Sequence, residues 1–499
     1  MQTKVIQPQG DTGHPTATAQ PEQTPRGVWG LSFVEMWERY SFYGIQAILT
    51  LYLVSALNEG GLEMSAIAAG GIVGGYGGAV YLSQLLGAWF GERVFAPKLM
   101  VLFGAIIICS GHVVLALIPG LTGLGYGLGL IVIGTGCLKT NITMILGQLY
   151  ADRPQGERDA GFSYFYMGIS IGAVLGPLTT GLAQSEWGFH FGFGSAAVVI
   201  FASLIQYLFI MRRLPEISAQ ISNPISANGR FAAVASLVVG SAALAGCFHR
   251  GLLPAERLSS YVTLLIVVAA VAYFVVMLRS KNVTESERSR VRGFIPVFIG
   301  SSVFFGLLFQ IFTTAPLLAL DSVDLAIGDW SFPVGWIGTL STGATVVAAP
   351  ILARSWKQMG PRQPSGVAKV SIGLLQIAVA FGLLAVFSQV FANALMPLAI
   401  LLLCMVVIGS SEMLVGPVGL SLASRVGPER FKSQMVGLNF LSLALGSALA
   451  GSLAQLYSVM DAEWFFTINA GAALIAGGLL WMFRRTLAAQ LRMGLSSAV

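Results

Sequence analysis

The chain has 499 residues, of which 55% are hydrophobic and 10% charged, with 60 glycines and a formal net charge of +6. Mean hydropathy is +0.77. This composition excludes a soluble globular enzyme and describes a polytopic helical membrane protein, in which surplus positive charge reports loop topology and not nucleic-acid binding.

Residues 1–27 are polar, rich in Gln, Thr and Pro, and contain no apolar run, so a disordered tail is expected there and not a cleaved signal segment. Apolar segments long enough to cross a bilayer follow at 30–57, 65–90, 98–119, 123–149, 161–184 and 189–211. Two more lie at 231–249 and 258–279, and six at 293–320, 333–354, 367–391, 394–424, 433–457 and 463–483. The fourteen spans divide the chain into a six-helix bundle over 28–213, an inserted pair with its linkers over 214–292, a second six-helix bundle over 293–485 and a tail over 486–499. With a cytoplasmic N-terminus, alternate loops and the tails hold 24 of the 28 Lys and Arg. Arg250 and Arg257 fall on the other side, and Arg39 and Lys139 fall within spans. Such asymmetry is what the positive-inside rule demands of fourteen spans with both termini cytoplasmic.

The first span is interrupted by Glu35, Glu38 and Arg39. Each charge at mid-membrane costs roughly 2.5–3.5 kcal/mol on insertion scales, so the cluster should face the bundle interior or a watery cavity. On a helix, Glu35, Arg39, Tyr43 and Gln46 fall within about 80° of one another, with Glu38 and Phe42 on the adjoining flank. The structural alternative is an ion pair between Glu35 and Arg39, at i,i+4, that holds helices together.

Two further charges lie within spans. Lys139 sits in the glycine-loosened stretch Gly134-Thr-Gly-Cys-Leu-Lys139-Thr-Asn141, and Glu412 in Ser410-Ser-Glu412-Met-Leu-Val-Gly-Pro417, where Gly and Pro permit a bend around a polar site. Lys139 is expected to pair with a first-helix glutamate in one state or with Glu412 in another; the plainer reading is a lysine snorkelling to the membrane edge. Cys109, Cys137, Cys247 and Cys404 lie singly in or beside apolar runs and read as packing thiols. His112, His190 and His249 are isolated, and no span holds a nucleophile triad or paired metal ligands, so an enzyme has no site. A scaffold without transport is disfavoured by the intramembrane charges.

In order along the chain, these stretches resemble the proton-coupled oligopeptide transporters, a peptide-transporting branch of the major facilitator superfamily. Glu35-x-x-Glu38-Arg39-Tyr40-x-Phe42-Tyr43-Gly44 is similar to the family's first-helix signature. Gly87-Ala-Trp-Phe-Gly-Glu92-Arg93 resembles the superfamily's loop between helices 2 and 3. The Lys139 stretch resembles the fourth-helix motif, Asp159 to Gly172 the fifth-helix signature, and Glu412 to Gly419 the tenth-helix glutamate motif. The resemblance implies twelve superfamily helices plus two inserted ones, an all-α membrane fold whose substrate cavity lies between the halves. It also implies roles: Glu35 and Glu38 cycle protons, Lys139 is their counter-ion, Arg39 meets the substrate carboxylate and Glu412 its amino group. Tyr43 and Tyr81 line the cavity, although a tyrosine such as Tyr81 is as often an interface anchor.

The chain departs from the family pattern at several places. Gln310 stands where a seventh-helix glutamate is usual and Gln46 where a first-helix arginine is frequent, so a charged gate becomes an amide pair able to hydrogen-bond but unable to titrate. Ser170 and Ser341 stand for asparagines and Asn439 for a tryptophan, all positions that help hold peptide in the family. The implied function is proton-coupled symport of di- and tripeptides by alternating access. The alternative is a relative moving a modified peptide, a siderophore-like metabolite or another small organic anion, with the direction of flux left open. The expected partners are a small peptide, protons and the bilayer, with no nucleic acid, no metal and no cofactor beyond the proton gradient. A monomer in a bacterial inner membrane is expected.

Overall fold

The structure, a computed structural model, describes residues 25–493 except 26, 152 and 154. The tail expected over the first 24 residues and the final segment 494–499 lie outside the described residues. The first half comprises α1 (Val28–Val54), α2 (Ala66–Arg93), α3 (Pro97–Leu117), α4 (Gly120–Leu149), α5 (Gln155–Trp187) and α6 (Phe189–Met211). The insert is α7 (Ala227–His249) and α8 (Leu258–Arg279). The second half comprises α9 (Glu285–Leu308), α10 (Thr314–Ser322), α11 (Ile337–Met359), α12 (Gly366–Val390), α13 (Leu398–Val426), α14 (Lys432–Tyr457) and α15 (Ala462–Arg492). Among the described residues, thirteen helices are long and apolar enough to cross a membrane. The remaining long helix, α1, has the length at 27 residues but carries Glu35, Glu38 and Arg39.

Local chemistry sets several boundaries. Ser65, Ser226 and Ser365 each accept a backbone N–H at the start of a helix, and Thr284 forms a reciprocal capping box with Glu287. That box starts α9 at Glu285, ahead of the apolar run that begins at 293. At the other end of the chain, residues 486–492 continue α15 as helix where a tail was expected. The ninth span is not one helix either. A 3-10 turn over Phe309–Phe312 separates α9 from α10, and Gln310 sits inside it.

The face of the molecule where α1 begins is called the near face, and the opposite one the far face. Glycines let the key helices approach closely. Gly168, Gly172 and Gly176 of α5 lie against the α1 backbone at Ser32, Met36 and Tyr40; a Cβ on Gly168 would come within 2.6 Å of the Ser32 carbonyl oxygen. The insert packs unevenly: α8 rests on α2 and α14, whereas α7 has no buried residue.

The halves are joined at the far face. Thr50 Oγ1 donates to the Phe312 carbonyl at 2.5 Å, Trp336 Nε1 to the Leu178 carbonyl at 2.8 Å, and Gln455 Nε2 to the Ile67 carbonyl at 3.0 Å. Among the described residues no ion pair crosses between the halves. Short strands cover this face over the second half. β1 (Val323–Asp324) runs parallel to β4 (Met396–Pro397), and β2 (Ala326–Ile327) pairs antiparallel with β3 (Trp330–Ser331). The β2–β3 turn contains Gly328 at φ 64°, and Trp330 and Phe332 pack on Trp336. Tyr166, Met167 and Ile171, midway along α5, are exposed. The hydrogen bonds that join the halves therefore gather at the far face.

Candidate functional site

The site is assembled on α1 by its neighbours α4 and α5. Asn141 of α4 donates its Nδ2 to the Gly87 carbonyl of α2 at 3.1 Å and to its own Cys137 carbonyl at 2.8 Å. A Cβ on Gly136 would lie 2.7 Å from the Ser83 carbonyl oxygen, so only glycine permits this crossing of α2 and α4. The crossing delivers Thr135 and Lys139 to the charged face of α1.

There the charges pair. Arg39 Nε donates to Glu38 Oε2 at 2.6 Å and Arg39 Nη2 to Glu38 Oε1 at 2.7 Å, a bidentate contact between adjacent residues. Thr135 Oγ1 donates to Glu38 Oε1 at 3.3 Å. Lys139 Nζ pairs with Glu35 Oε1, which also lies 3.7 Å from Arg39 Nε. Glu35, Glu38 and Arg39 are buried, and Glu35 Oε2 has no hydrogen-bond partner. The i,i+4 contact of Glu35 and Arg39 is thus the looser member of a four-charge network and not an isolated helix staple. Lys139 is engaged with Glu35 in place of snorkelling to the edge.

Aromatic rings complete this wall. Arg39 Cζ lies 4.8 Å from the Phe42 ring centroid and 5.9 Å from that of Tyr43. Tyr81 is buried midway along α2, 6.1 Å from Phe42 and 5.8 Å from Phe309 between ring centroids. An anchor at a membrane interface does not fit that position. Tyr43 stands 6.1 Å from Phe312, so rings from both halves meet here.

Glu412 of α13 occupies the opposite wall. Tyr43, Tyr81 and Tyr166 of the first half lie within electrostatic range of its carboxylate, so it faces the first-half cluster. Its Oε2 lies 3.1 Å from Thr345 Oγ1, which is also 2.7 Å from the Gly409 carbonyl and 3.2 Å from that of Ser341. One hydroxyl proton cannot serve three acceptors, so Glu412 is weakly satisfied by the protein. Among the described residues no cation forms an ion pair with it.

The remaining residues singled out in the sequence are dispersed. Ser170 lies one turn beyond Tyr166 on the same face of α5 and donates to the Tyr166 carbonyl at 3.1 Å. Ser341 is buried in the α11–α13 seam, where its carbonyl lies against Gly409. Asn439 is buried against Gly419 of α13. Gln46 points toward Gly77 of α2, and its Oε1 has no partner. Gln310 donates Nε2 to Asn469 Oδ1 of α15 at 3.2 Å. The two amides therefore do not pair as a gate; the far-face bonds of Thr50, Trp336 and Gln455 join the halves. Tyr166, Thr345 and Thr135 are site neighbours that sequence reasoning missed. Tyr166 lay within the fifth-helix signature and Thr135 within the Lys139 stretch, while Thr345 carried no signal beyond its place one turn after Ser341. Among the described residues no group of three His, Cys, Asp or Glu converges as a metal site.

A model of the POT family matches residues 98–478. The di-/tripeptide transporter of Lactococcus lactis subsp. cremoris is 31% identical over 474 residues, which cover 92% of this chain and 95% of that protein. The uncharacterized transporter YclF of Bacillus subtilis (strain 168) is 32% identical over 458 residues, 91% of this chain and 93% of its own. A crystal structure of a POT peptide transporter carrying a glutamate-to-glutamine substitution, in complex with sulfate, superimposes with a TM-score of 0.88 at 33% identity, over 93% of this chain and 96% of that one. A POT family transporter in complex with 5-aminolevulinic acid gives 0.87 at 30% identity, over 93% and 97%.

Proposed function

The chain belongs to the POT family, and from that premise we propose that it is a proton-coupled transporter of di- and tripeptides working by alternating access. The observation that carries the reading is the division of charge across the cavity. The first half offers two cations, each held by a carboxylate, and the second half offers a carboxylate with no cation. A zwitterionic peptide complements that arrangement, its carboxylate directed to Arg39 and Lys139 and its amino group to Glu412. The relatives named for di- and tripeptides favour this over a non-standard substrate. Ser341 and Asn439, buried in helix seams, do not reshape the cavity wall.

Proton coupling follows from the pairs. Protonating Glu38 removes the charge that holds Arg39, and protonating Glu35 does the same for Lys139. Each freed cation can then take the substrate carboxylate, so proton and peptide binding favour each other as linked equilibria. Arg39 is suited to this because its planar guanidinium exchanges one bidentate carboxylate for another. Gln310 cannot titrate, so coupling rests on Glu35, Glu38 and Glu412. An inward proton gradient drives uptake, and raising external pH slows it. The near face, rich in Lys and Arg, is the cytoplasmic one, with both termini there; the conformation described is then inward-facing. In this reading the carrier works as a monomer and the gradient alone supplies the energy.

The test compares free and N-acetylated dipeptides in proteoliposomes. Losing a charge-assisted contact to the amino group should weaken use of the free dipeptide by roughly 10- to 100-fold in Glu412→Gln. The acetylated form, poor in the parent, should be unaffected by the substitution. Equal loss for both peptides, or no loss for either, would remove Glu412 from amino-group recognition.

A further inference from the structure

The near-face corners of the two halves are built differently. In the first half, the linker after α6 crosses the α2–α3 turn. Asn223 N–H donates to the Glu92 carbonyl at 2.9 Å and Ile225 N–H to that of Arg93 at 3.3 Å. Ile225, Val234 and Leu237 then pack on Phe90, Val94 and Met100, so this corner is filled by apolar side chains.

Among the described residues no segment fills the corresponding corner of the second half, where α11 ends, α12 begins and α13 ends. It holds a cavity of about 610 Å³ lined by Lys369, Arg425 and Arg492, with Trp356, Gln363 and Ser421 among the other walls. That volume is ordinary for a small-molecule site. Among the described residues no Asp or Glu lines it and none of the three cations has an ion pair. Lys369 is 91% buried, since only 9% of it is exposed. Its Nζ donates to Gln363 Oε1 at 2.9 Å and lies 3.8 Å from the Trp356 ring centroid, contacts that hold the ammonium without neutralising it. Arg425 is turned back on its own helix, Nε donating to the Ser421 carbonyl at 3.4 Å. The first turn of α12 also opens here, with Gly366 on the cavity wall, and its backbone N–H groups favour negative charge.

Three cations around one cavity repel each other unless a counter-charge enters. We propose that this cavity binds a phosphate-class anion, either free phosphate or the head group of an anionic phospholipid reached from the near-face leaflet. The site is separate from the transport site and does not depend on the reading of the cargo. It shares α13 with it, since Pro417, Val418, Ser421 and Arg425 line the cavity and Glu412 lies further along the same helix. An anion held there ties the near-face ends of α11, α12 and α13 together.

The test is thermal unfolding of the purified full-length protein in two arms. One compares sodium phosphate with sodium chloride at equal ionic strength in detergent; the other compares phosphatidylglycerol with phosphatidylcholine in nanodiscs. A ligand that binds only the folded protein should raise the unfolding midpoint saturably, by about 2 °C or more. The rise should vanish in the double variant Lys369→Gln with Arg425→Gln. It should vanish equally in Ser421→Glu, which places a carboxylate in the cavity and so supplies the counter-charge from within the fold. A rise with phosphate alone assigns a soluble anion, with phosphatidylglycerol alone a lipid, and with both the shared phosphate group. No rise in either arm, or one that persists in either variant, overturns the proposal.

Discussion

The two walls of the central cavity handle charge in opposite ways. On the first half, Glu35 and Glu38 are buried and each is matched to a cation, so the cluster is nearly self-neutralising. On the second half, Glu412 has a threonine hydroxyl as its nearest polar partner, and Gln310 is an uncharged amide bonded to another amide. A buried ion pair that loses one partner is strongly destabilised, whereas a carboxylate with no cation is free to receive one from outside. The first half is therefore suited to sensing protons and the second to holding the ammonium end of a cargo. Closure is a third matter, handled away from both by neutral hydrogen bonds at the far face.

Substitutions can break this contrast, beginning with the largest effect. Lys139→Ala leaves Glu35 only the looser Arg39 contact at 3.7 Å, and removing one partner of a buried pair costs about 3–5 kcal/mol. A clear fall in the unfolding midpoint and loss of gradient-driven uptake are expected; a stable, active variant would mean that Arg39 alone suffices for Glu35. Glu412→Gln removes no internal ion pair, so it should leave the unfolding midpoint near the parent value while impairing free dipeptides. Equal destabilisation by the two substitutions would erase the distinction between the walls. Asn439→Trp, which restores the family residue, should cost about 1–3 kcal/mol by overpacking. A Cβ on Gly419 would already lie 2.6 Å from Asn439 Oδ1, so the seam has no spare room there. An unchanged midpoint together with better dipeptide uptake would return Asn439 to the cavity wall. The smallest effect belongs to Thr50→Val, which deletes one far-face hydrogen bond worth about 1 kcal/mol. Far-face opening, followed by labelling of a cysteine placed at Leu178, should rise by roughly fivefold, and an unaltered labelling rate would mean that this bond does not hold the closed state.

Much of this architecture was legible in the sequence because bilayer thickness sets helix length and loop charge sets direction. The apolar runs at 98–119, 189–211 and 258–279 end within two residues of α3, α6 and α8. The pairing of Lys139 with a first-helix glutamate was also foreseeable, since an unpaired lysine at that depth is too costly. The break at Phe309–Phe312 was not, because the run 293–320 carries no charge and reads as one span, while its interruption is a backbone event. Nor could hydrophobicity show which face of a helix meets the cavity. Ser341 and Asn439 sit on helices without charged residues around them and Gln46 on the charged face of α1, yet the close packing of Gly409, Gly419 and Gly77 decides that these residues point into seams. Tyr166 was hidden for the opposite reason: an exposed tyrosine on a membrane helix reads as lipid-facing until a cavity is seen beside it.

The central claim is that protonation of the first-half carboxylates releases the cations that bind cargo, and Glu38→Gln tests it most directly. The variant fixes that site in its uncharged form and leaves Arg39 free. Dipeptide uptake driven by an imposed pH gradient should be measured beside counterflow exchange without a gradient, in the same proteoliposomes. The account predicts that exchange persists while the gradient no longer accelerates uptake. Gradient-driven uptake at the parent rate would contradict it and move proton coupling away from the Glu38–Arg39 pair.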